Sequence, residues 1–363
     1  MSMIAILKKF LAFLNFLPSS RPDWRDAPLA GGKRQGGLDC QTPMDKTTLM
    51  SRSAIKTREP EEPPWWDMPE RERPCFPEFE AVNNRAVFEK LHAQVGAGEF
   101  KMIEISDNIT RIMEMLGNPR MRYSEVAEMI GKSPVLTGEF LKTVNSALYS
   151  HGQKITNLGV ALSLLGLDNI KAMLYLYSSN FDLSYNDALN DVAAGIFEHS
   201  KSVALIAKYL SRRFYPKADI AFLAGMLHDI GKIAILKEVA DDFDIPKLDF
   251  KLTEDAFGEI FPDLHCPVGK LLSKHWNIDE NIALCIEHHH DYDAYDFPLE
   301  FRPAFHLCAL IDLSDTIARM LGKGAFISGV DLFKHRACEY LDIRHSPETI
   351  EFLKPIPELL GKN

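Results

Sequence analysis

The chain has 363 residues, 46% hydrophobic, 25% charged and 10% aromatic, the balance of a soluble globular protein with a sizeable core. Its net charge of −10 argues against direct nucleic-acid binding, because phosphate contacts need clustered lysine and arginine. Cys40, Cys75, Cys266, Cys285, Cys308 and Cys338 form no C-x-x-C pair, so free thiols in a reducing, cytoplasmic setting are expected.

Residues 1–17, "MSMIAILKKFLAFLNFL", are short for a membrane span and are broken by Lys8 and Lys9. No small-x-small cleavage site follows. The segment is read either as an interfacial amphipathic helix, peripheral to the inner membrane, or as a floppy start, since Met3 and Met44 can also initiate. Residues 1–58 carry ten Lys/Arg against four Asp, about +6, which leaves about −16 for the rest. A basic tail on an acidic body points to a membrane surface or an acidic partner. Residues 18–77 are rich in Pro, Gly, Ser and charge and are read as a disordered linker. Trp65-Trp66 is the exception, a candidate for docking on the body or on a partner.

From about residue 78 apolar residues recur at three and four, and no alternating run long enough for a strand appears. The fold class is all-α: a multi-helix bundle over 78–321, with a first half at 100–185 and a second at 190–321. A helical extension over 322–363 caps the bundle, with His335 and His345 at the surface. In the first half Ser124 reads as a helix cap, and Pro134 fits the first turn of the next helix. Asn145 and Ser146 read as polar residues that satisfy a turn.

In the second half, helical phase tests each chemistry-bearing side chain. His199 falls on the stripe of Val192, Ile196, Val203, Ile206 and Leu210. His228 and Asp229 end the helix of Ile220, Leu223, Ala224 and Leu227. His265 is in phase with Val268 and Leu272. His289 continues the face of Ile282, Cys285 and Ile286, with His288 beside it. Asp315 falls on the stripe of Ala304, Cys308, Ile311 and Ala318, whereas Asp312 lies toward Thr316 and Arg319. A lone histidine on an apolar face is usually a satisfied core residue. Several such groups buried together without a cation would leave desolvated polar atoms unsatisfied. Imidazoles and carboxylates in that number suit Fe, Mn or Zn, and suit two divalent ions bridged by Asp229.

The order His199, His228-Asp229, His265, His288-His289, Asp315 resembles the HD superfamily of metal-dependent phosphohydrolases. The stretches "EVAEMIGKSPVLTGEFLKTVNSALY", "ALSLLGLDNIK", "AFLAGMLHDIGK" and "HCPVGKLLSKHWNIDENIALCIEHH" resemble the HDOD domain, the HD-related output domain of bacterial signalling proteins. That resemblance implies an HD-type bundle that acts by interaction. The full ligand series is similar to the HD-GYP phosphodiesterases of cyclic di-GMP, whose HHExxDGxGYP motif aligns with "HHHDYDAYDFP" at 288–298. Asp293 and Pro298 match. His290 replaces the Glu, Ala294 and Asp296 replace both Gly, Phe297 replaces the Tyr, and Gly195 stands where that branch carries an extra carboxylate.

Two functions follow as expectations. The first is a signalling protein that works through contacts with an unidentified signalling partner, with the metal site retained. The alternative is a metal-dependent phosphohydrolase or phosphodiesterase acting on a phosphate-containing small molecule, such as a cyclic nucleotide. In that case Asp229 holds the metals that activate water, Lys232 balances charge on a phosphate oxygen as in the relatives, and His265 or His288 protonates the leaving oxygen.

Overall fold

The computed structural model describes residues 64–71, 85–149, 154–178, 187–242, 254–258, 260–293 and 295–360. The amphipathic segment 1–17, most of the 18–77 linker, and Cys40 and Cys75 lie outside the described residues. The architecture is all-α. Among the described residues the strands are Asp67–Met68 (β1) and Val330–Asp331 (β2), two residues each and antiparallel, with Asp67 opposite Asp331. Thus part of the stretch read as linker is ordered, and Trp65 and Trp66 pack against the hydrophobic core.

Short amphipathic helices form the first half. Helix α1 (Arg85–Ala97) buries Val87 and Leu91, and α2 (Asp107–Leu116) buries Ile109, Ile112 and Leu116 at helical spacing. Helix α3 (Tyr123–Ile130) starts before Ser124, so that serine is not the cap; the N-cap is Arg122, and Glu125 accepts from its Nε at 2.7 Å. Helix α4 (Pro134–Val144) places Pro134 in the first turn, where a missing N–H costs nothing, and Ser133 Oγ accepts from Leu136 N at 3.3 Å. Asn145 closes the following turn: Nδ2 donates to the carbonyls of Leu141 and Ile155, and Oδ1 accepts from Ile155 N, each at 2.8 Å. Ser146 does not share that task, because its buried hydroxyl has no partner among the described residues. Helices α5 (Leu158–Leu165) and α6 (Leu167–Ser178) meet at Gly166, whose φ of 81° suits glycine, and turn through 108°. No single helix among the described residues is long and apolar enough to cross a membrane.

The second half is built on α7 (Asp187–Phe214), which packs against both α8 (Ala218–Leu227) and α12 (Arg302–Met320). Helix α10 (Ile260–His275) packs against α9 (Ile230–Asp242) and α11 (Glu280–His288). The closest approach is at Gly231, where a Cβ would stand 1.9 Å from the carbonyl oxygen of His265 and 2.8 Å from Gly269 N. Only a residue without a side chain permits this contact, and it fixes the start of α9 against α10. The chain ends in α13 (Arg336–Tyr340), α14 (Pro347–Leu353) and α15 (Ile356–Leu359). They cap the bundle: Tyr209 donates to the carbonyl of Phe352 at 2.7 Å and stacks on its ring. His345 is exposed, but His335 is half-buried, its Nδ1 accepting from Ala337 N while Nε2 sits 3.2 Å from Thr316 Oγ1. It caps a helix rather than facing solvent.

Candidate metal centre

Four of the candidate histidines are aimed by a backbone carbonyl. His199 is buried on α7, and its Nδ1 lies 2.8 Å from the carbonyl of Lys323. His228 caps α8 with its backbone still helical, so His228 and Asp229 lie at the junction with α9; its Nδ1 lies 2.9 Å from the carbonyl of Gly225. His265 Nδ1 is 2.5 Å from the carbonyl of Phe261, and His289 Nδ1 is 3.1 Å from that of Ile286. A carbonyl only accepts, so each Nδ1 carries a proton, and in the neutral form of each ring the lone pair is at Nε2, the tautomer that metal-binding histidines adopt.

These Nε2 atoms converge on two carboxylates. His199 Nε2 lies 3.0 Å from Asp315 Oδ1 and 3.5 Å from Asp229 Oδ2. His228 Nε2 is 3.3 Å from Asp229 Oδ2, and His265 Nε2 is 3.6 Å from Asp229 Oδ1 and 3.4 Å from His289 Nε2. Three ligand triads overlap: His199, His228 and Asp315; His228, Asp229 and His289; and His265, His289 and His290, with ligand atoms within 4.8 Å of one another in each. Buried in this centre, His228 Nε2 and Asp229 Oδ1 have no hydrogen-bond partner. Two buried, orphaned polar atoms are costly as they stand, and a divalent cation would satisfy them. Imidazole nitrogens with carboxylate oxygens are the donor set of Zn, Mn and Fe sites, so the residues fit the group.

The electrostatics agree. Burial, helped by the Asp229–Lys232 pair's ammonium and by His289, lowers His265 to about 3, although Asp229 works the other way. Burial, with His290 and His228, holds His289 well below the usual range. Both rings are therefore neutral and free to ligate at neutral pH. Burial opposes charge on His199, yet the Asp315 carboxylate, with Glu254 and Asp229, pushes it up to about 8. Burial also opposes charge on Asp229 and Asp315. His228 and Lys232 keep the first ionised, and His199 and Arg319 the second. Lys232 donates to Asp229 Oδ2 at 2.6 Å and to Glu254 Oε2 at 2.9 Å; those carboxylates raise its pKa against the effect of burial. The "HDIGK" lysine thus sits beside Asp229 and Glu254.

The structure brings together His199, His228, Asp229, Lys232, His265, His289 and Asp315, and leaves out His288. Helix α11 ends at His288, whose ring stacks on Tyr295 at 3.9 Å and whose Nδ1 faces Asp291 Oδ1 at 3.1 Å. His288 thus stands outside the three ligand groups. The turn after the helix delivers His290 instead, pinned by Arg336, which donates to the His290 carbonyl at 2.6 Å. Asp312, set aside as a ligand in favour of Asp315, is buried and accepts from Arg336 Nε and Tyr292 OH. The sequence reading also missed Glu254, Arg319 and Arg71. Only Arg319 carried a signal, four residues after Asp315, and its Nη1 lies 3.5 Å from Asp315 Oδ2. The centre forms the floor of a cavity of about 700 Å³, walled by Phe261, Phe326 and Ile327 and bordered by Arg71, Lys232 and Arg319.

Fold and site define an all-helical domain with a buried imidazole–carboxylate centre suited to divalent metal. The HDOD domain family matches residues 102–292, and the chain belongs to that family. Solved structures share the fold. One is a candidate metal-dependent phosphohydrolase from Shewanella amazonensis SB2B, at 20% identity and TM-score 0.57, covering 77% of this chain and 98% of that one. Another is an HDOD domain protein of unknown function from Geobacter sulfurreducens, at 24% identity and TM-score 0.51, covering 76% and 97%. An uncharacterized protein of Treponema pallidum (strain Nichols) is 22% identical over 237 residues, 62% of this chain but only 44% of the relative's own length. The chain thus spans under half of that relative.

Proposed function

We propose that the chain is a metal-dependent phosphohydrolase or phosphodiesterase acting on a phosphate ester small enough to enter the cavity above the centre. The observation that carries this reading is the set of lone-pair Nε2 atoms and ionised carboxylates gathered on the floor of an open cavity bordered by cations. A structural pin needs the ligands but not the opening. Two divalent ions, of Fe, Mn or Zn type, would be held by His199, His228, Asp229, His265, His289, His290 and Asp315. When bound, such ions supply Lewis acidity and activation of water for attack on phosphorus.

The protein's own groups supply the rest. Lys232 and Arg319 stand beside the carboxylates and neutralise charge on the non-bridging oxygens of an incoming phosphate. Nδ1–carbonyl contacts orient the rings of His199, His228, His265 and His289. His290, where HD-GYP relatives carry Glu, and Asp296, where they carry Gly, separate this site from cyclic di-GMP hydrolysis and support a different ester. Metal-replete protein assayed on phosphomono- and phosphodiesters tests the reading. Turnover lost on chelation and in Asp229→Ala supports it; absence of turnover on every ester by metal-replete protein removes it.

A second reading, favoured by Val135, Val160 and Leu164 lying exposed on α4 and α5, is signalling through contact with a protein partner from the first half of the domain. The sequence alone favours this reading, and the open centre moves the weight to the first. Either role fits a cytoplasmic protein whose residues 1–17 touch the membrane surface.

A further inference from the structure

The segment 64–71 is laid along the chain that borders the cavity. Met68 pairs with Val330, Leu332 N donates to the carbonyl of Trp66 at 2.9 Å, and Gly329 N donates to that of Pro69 at 3.2 Å. Ser328 Oγ donates to the carbonyl of Arg71 at 3.2 Å. The approach is tight: a Cβ on Gly329, whose φ is 66°, would stand 2.9 Å from Glu70 Cγ. Trp65 and Trp66 anchor the strap on the core and touch edge-to-face at 5.7 Å. Arg71 of this segment lines the cavity.

Charge around that wall is balanced and then tipped. Arg71, Lys232 and Arg319 face Asp229, Glu254 and Asp315. Lys232 and Arg319 are already paired with these carboxylates. No carboxylate of the described residues pairs with Arg71. Divalent ions on the floor would turn the lining positive and favour an anion, and the arginine fork matches phosphate oxygens in a way a surface lysine does not. Phe261, Phe326 and Ile327 add an apolar wall for the organic part of the ester, and the cavity volume suits a ligand of nucleotide size.

We propose that the strap is part of the ligand site: Arg71 reads the phosphate of the bound ester, so that ligand entry fastens residues 64–71 onto 328–332. The inference rests on the phosphate-ester reading above and adds its specificity residue. A two-residue ladder is weak by itself, so a single phosphate contact is enough to change its opening.

Full-length, metal-loaded protein tests this with inorganic phosphate, adenosine 5′-monophosphate and adenosine as probes, read by calorimetric binding and by hydrogen exchange at the Gly329 and Leu332 amides. The expected result is that both phosphate probes bind and adenosine binds far more weakly, while exchange at the two amides slows. Arg71→Ala weakens nucleotide binding about tenfold or more and abolishes the slowing, and Arg71→Lys restores part of it. Arg71→Ala that binds and slows like wild type overturns the strap inference and leaves the phosphate reading standing. Metal-loaded wild type that binds neither phosphate probe overturns both.

Discussion

Substituting Gly231 by alanine places a methyl group where a backbone oxygen already stands. The added Cβ would lie 1.9 Å from the His265 carbonyl oxygen. An ordinary carbon–oxygen contact is about 3.3 Å, so α9 and α10 must part by roughly 1.4 Å. Both helices carry the centre. Asp229 precedes α9, and the 3.6 Å gap from its Oδ1 to His265 Nε2 opens to about 5 Å on rigid separation, beyond what one ion spans at ~2.1 Å per ligand. Overpacking of this kind costs about 1–3 kcal/mol. For a folded body of this size that lowers Tm by roughly 2–12 °C. Scanning calorimetry and elemental analysis of Gly231→Ala beside wild type make the test. Gly195→Ala is the control: that glycine is exposed in α7 with nothing within 4 Å of a built Cβ, so alanine should raise Tm by roughly 2–4 °C through helix propensity. A Gly231→Ala protein with wild-type Tm and full metal would refute the claim that this backbone contact sets the centre.

Chelated protein should be most stable near pH 6.5. His265 and His289 have folded pKa values below the ordinary 6.5, so the unfolded chain takes up more protons and their contribution is lost as pH falls below 6.5, for His265 over the range down to about 3. His199 has the opposite sign: raised to about 8, it contributes fully below 6.5 and its contribution is gone above about 8. Urea midpoints across pH 4–9 check this, and a midpoint that rises steadily to pH 9 would contradict it. Arg336→Met should cost roughly 1–3 kcal/mol, because buried Asp312 loses a charged partner while Arg336 itself is partly solvated. The same change should weaken metal retention, since it frees the turn that carries His290; an unchanged urea midpoint would count against it.

Much of the centre was legible because helical phase is a strong signal. His199, His265 and Asp315 each lie on an apolar stripe, and burying them on three packed helices leaves few places for them to meet. The His288 reading failed because phase reasoning presumes that the helix continues. Helix α11 stops at His288, and the turn that follows reverses which neighbour of His289 faces the cavity. Arg319 was read toward Asp312, while the four-residue spacing to Asp315 is the pair that forms. Asp312 instead finds Arg336, 24 residues on, a partner that no local pattern indicates. Glu254 and Arg71 reach the site through tertiary contacts alone. The strap is the clearest case, since a Pro-rich, charged stretch lacks periodicity and its order comes from edge pairing with β2 and from two docked tryptophans.

The most direct test of the account is the metal content of protein purified without chelator, wild type beside Asp229→Ala, with circular dichroism to show that both are helical. The centre described here predicts near-stoichiometric or higher Fe, Mn or Zn in wild type and loss of most of it in the variant, because Asp229 lies within 3.6 Å of His199, His228 and His265. Folded wild type that takes up none of these metals, even when offered in excess, would contradict it.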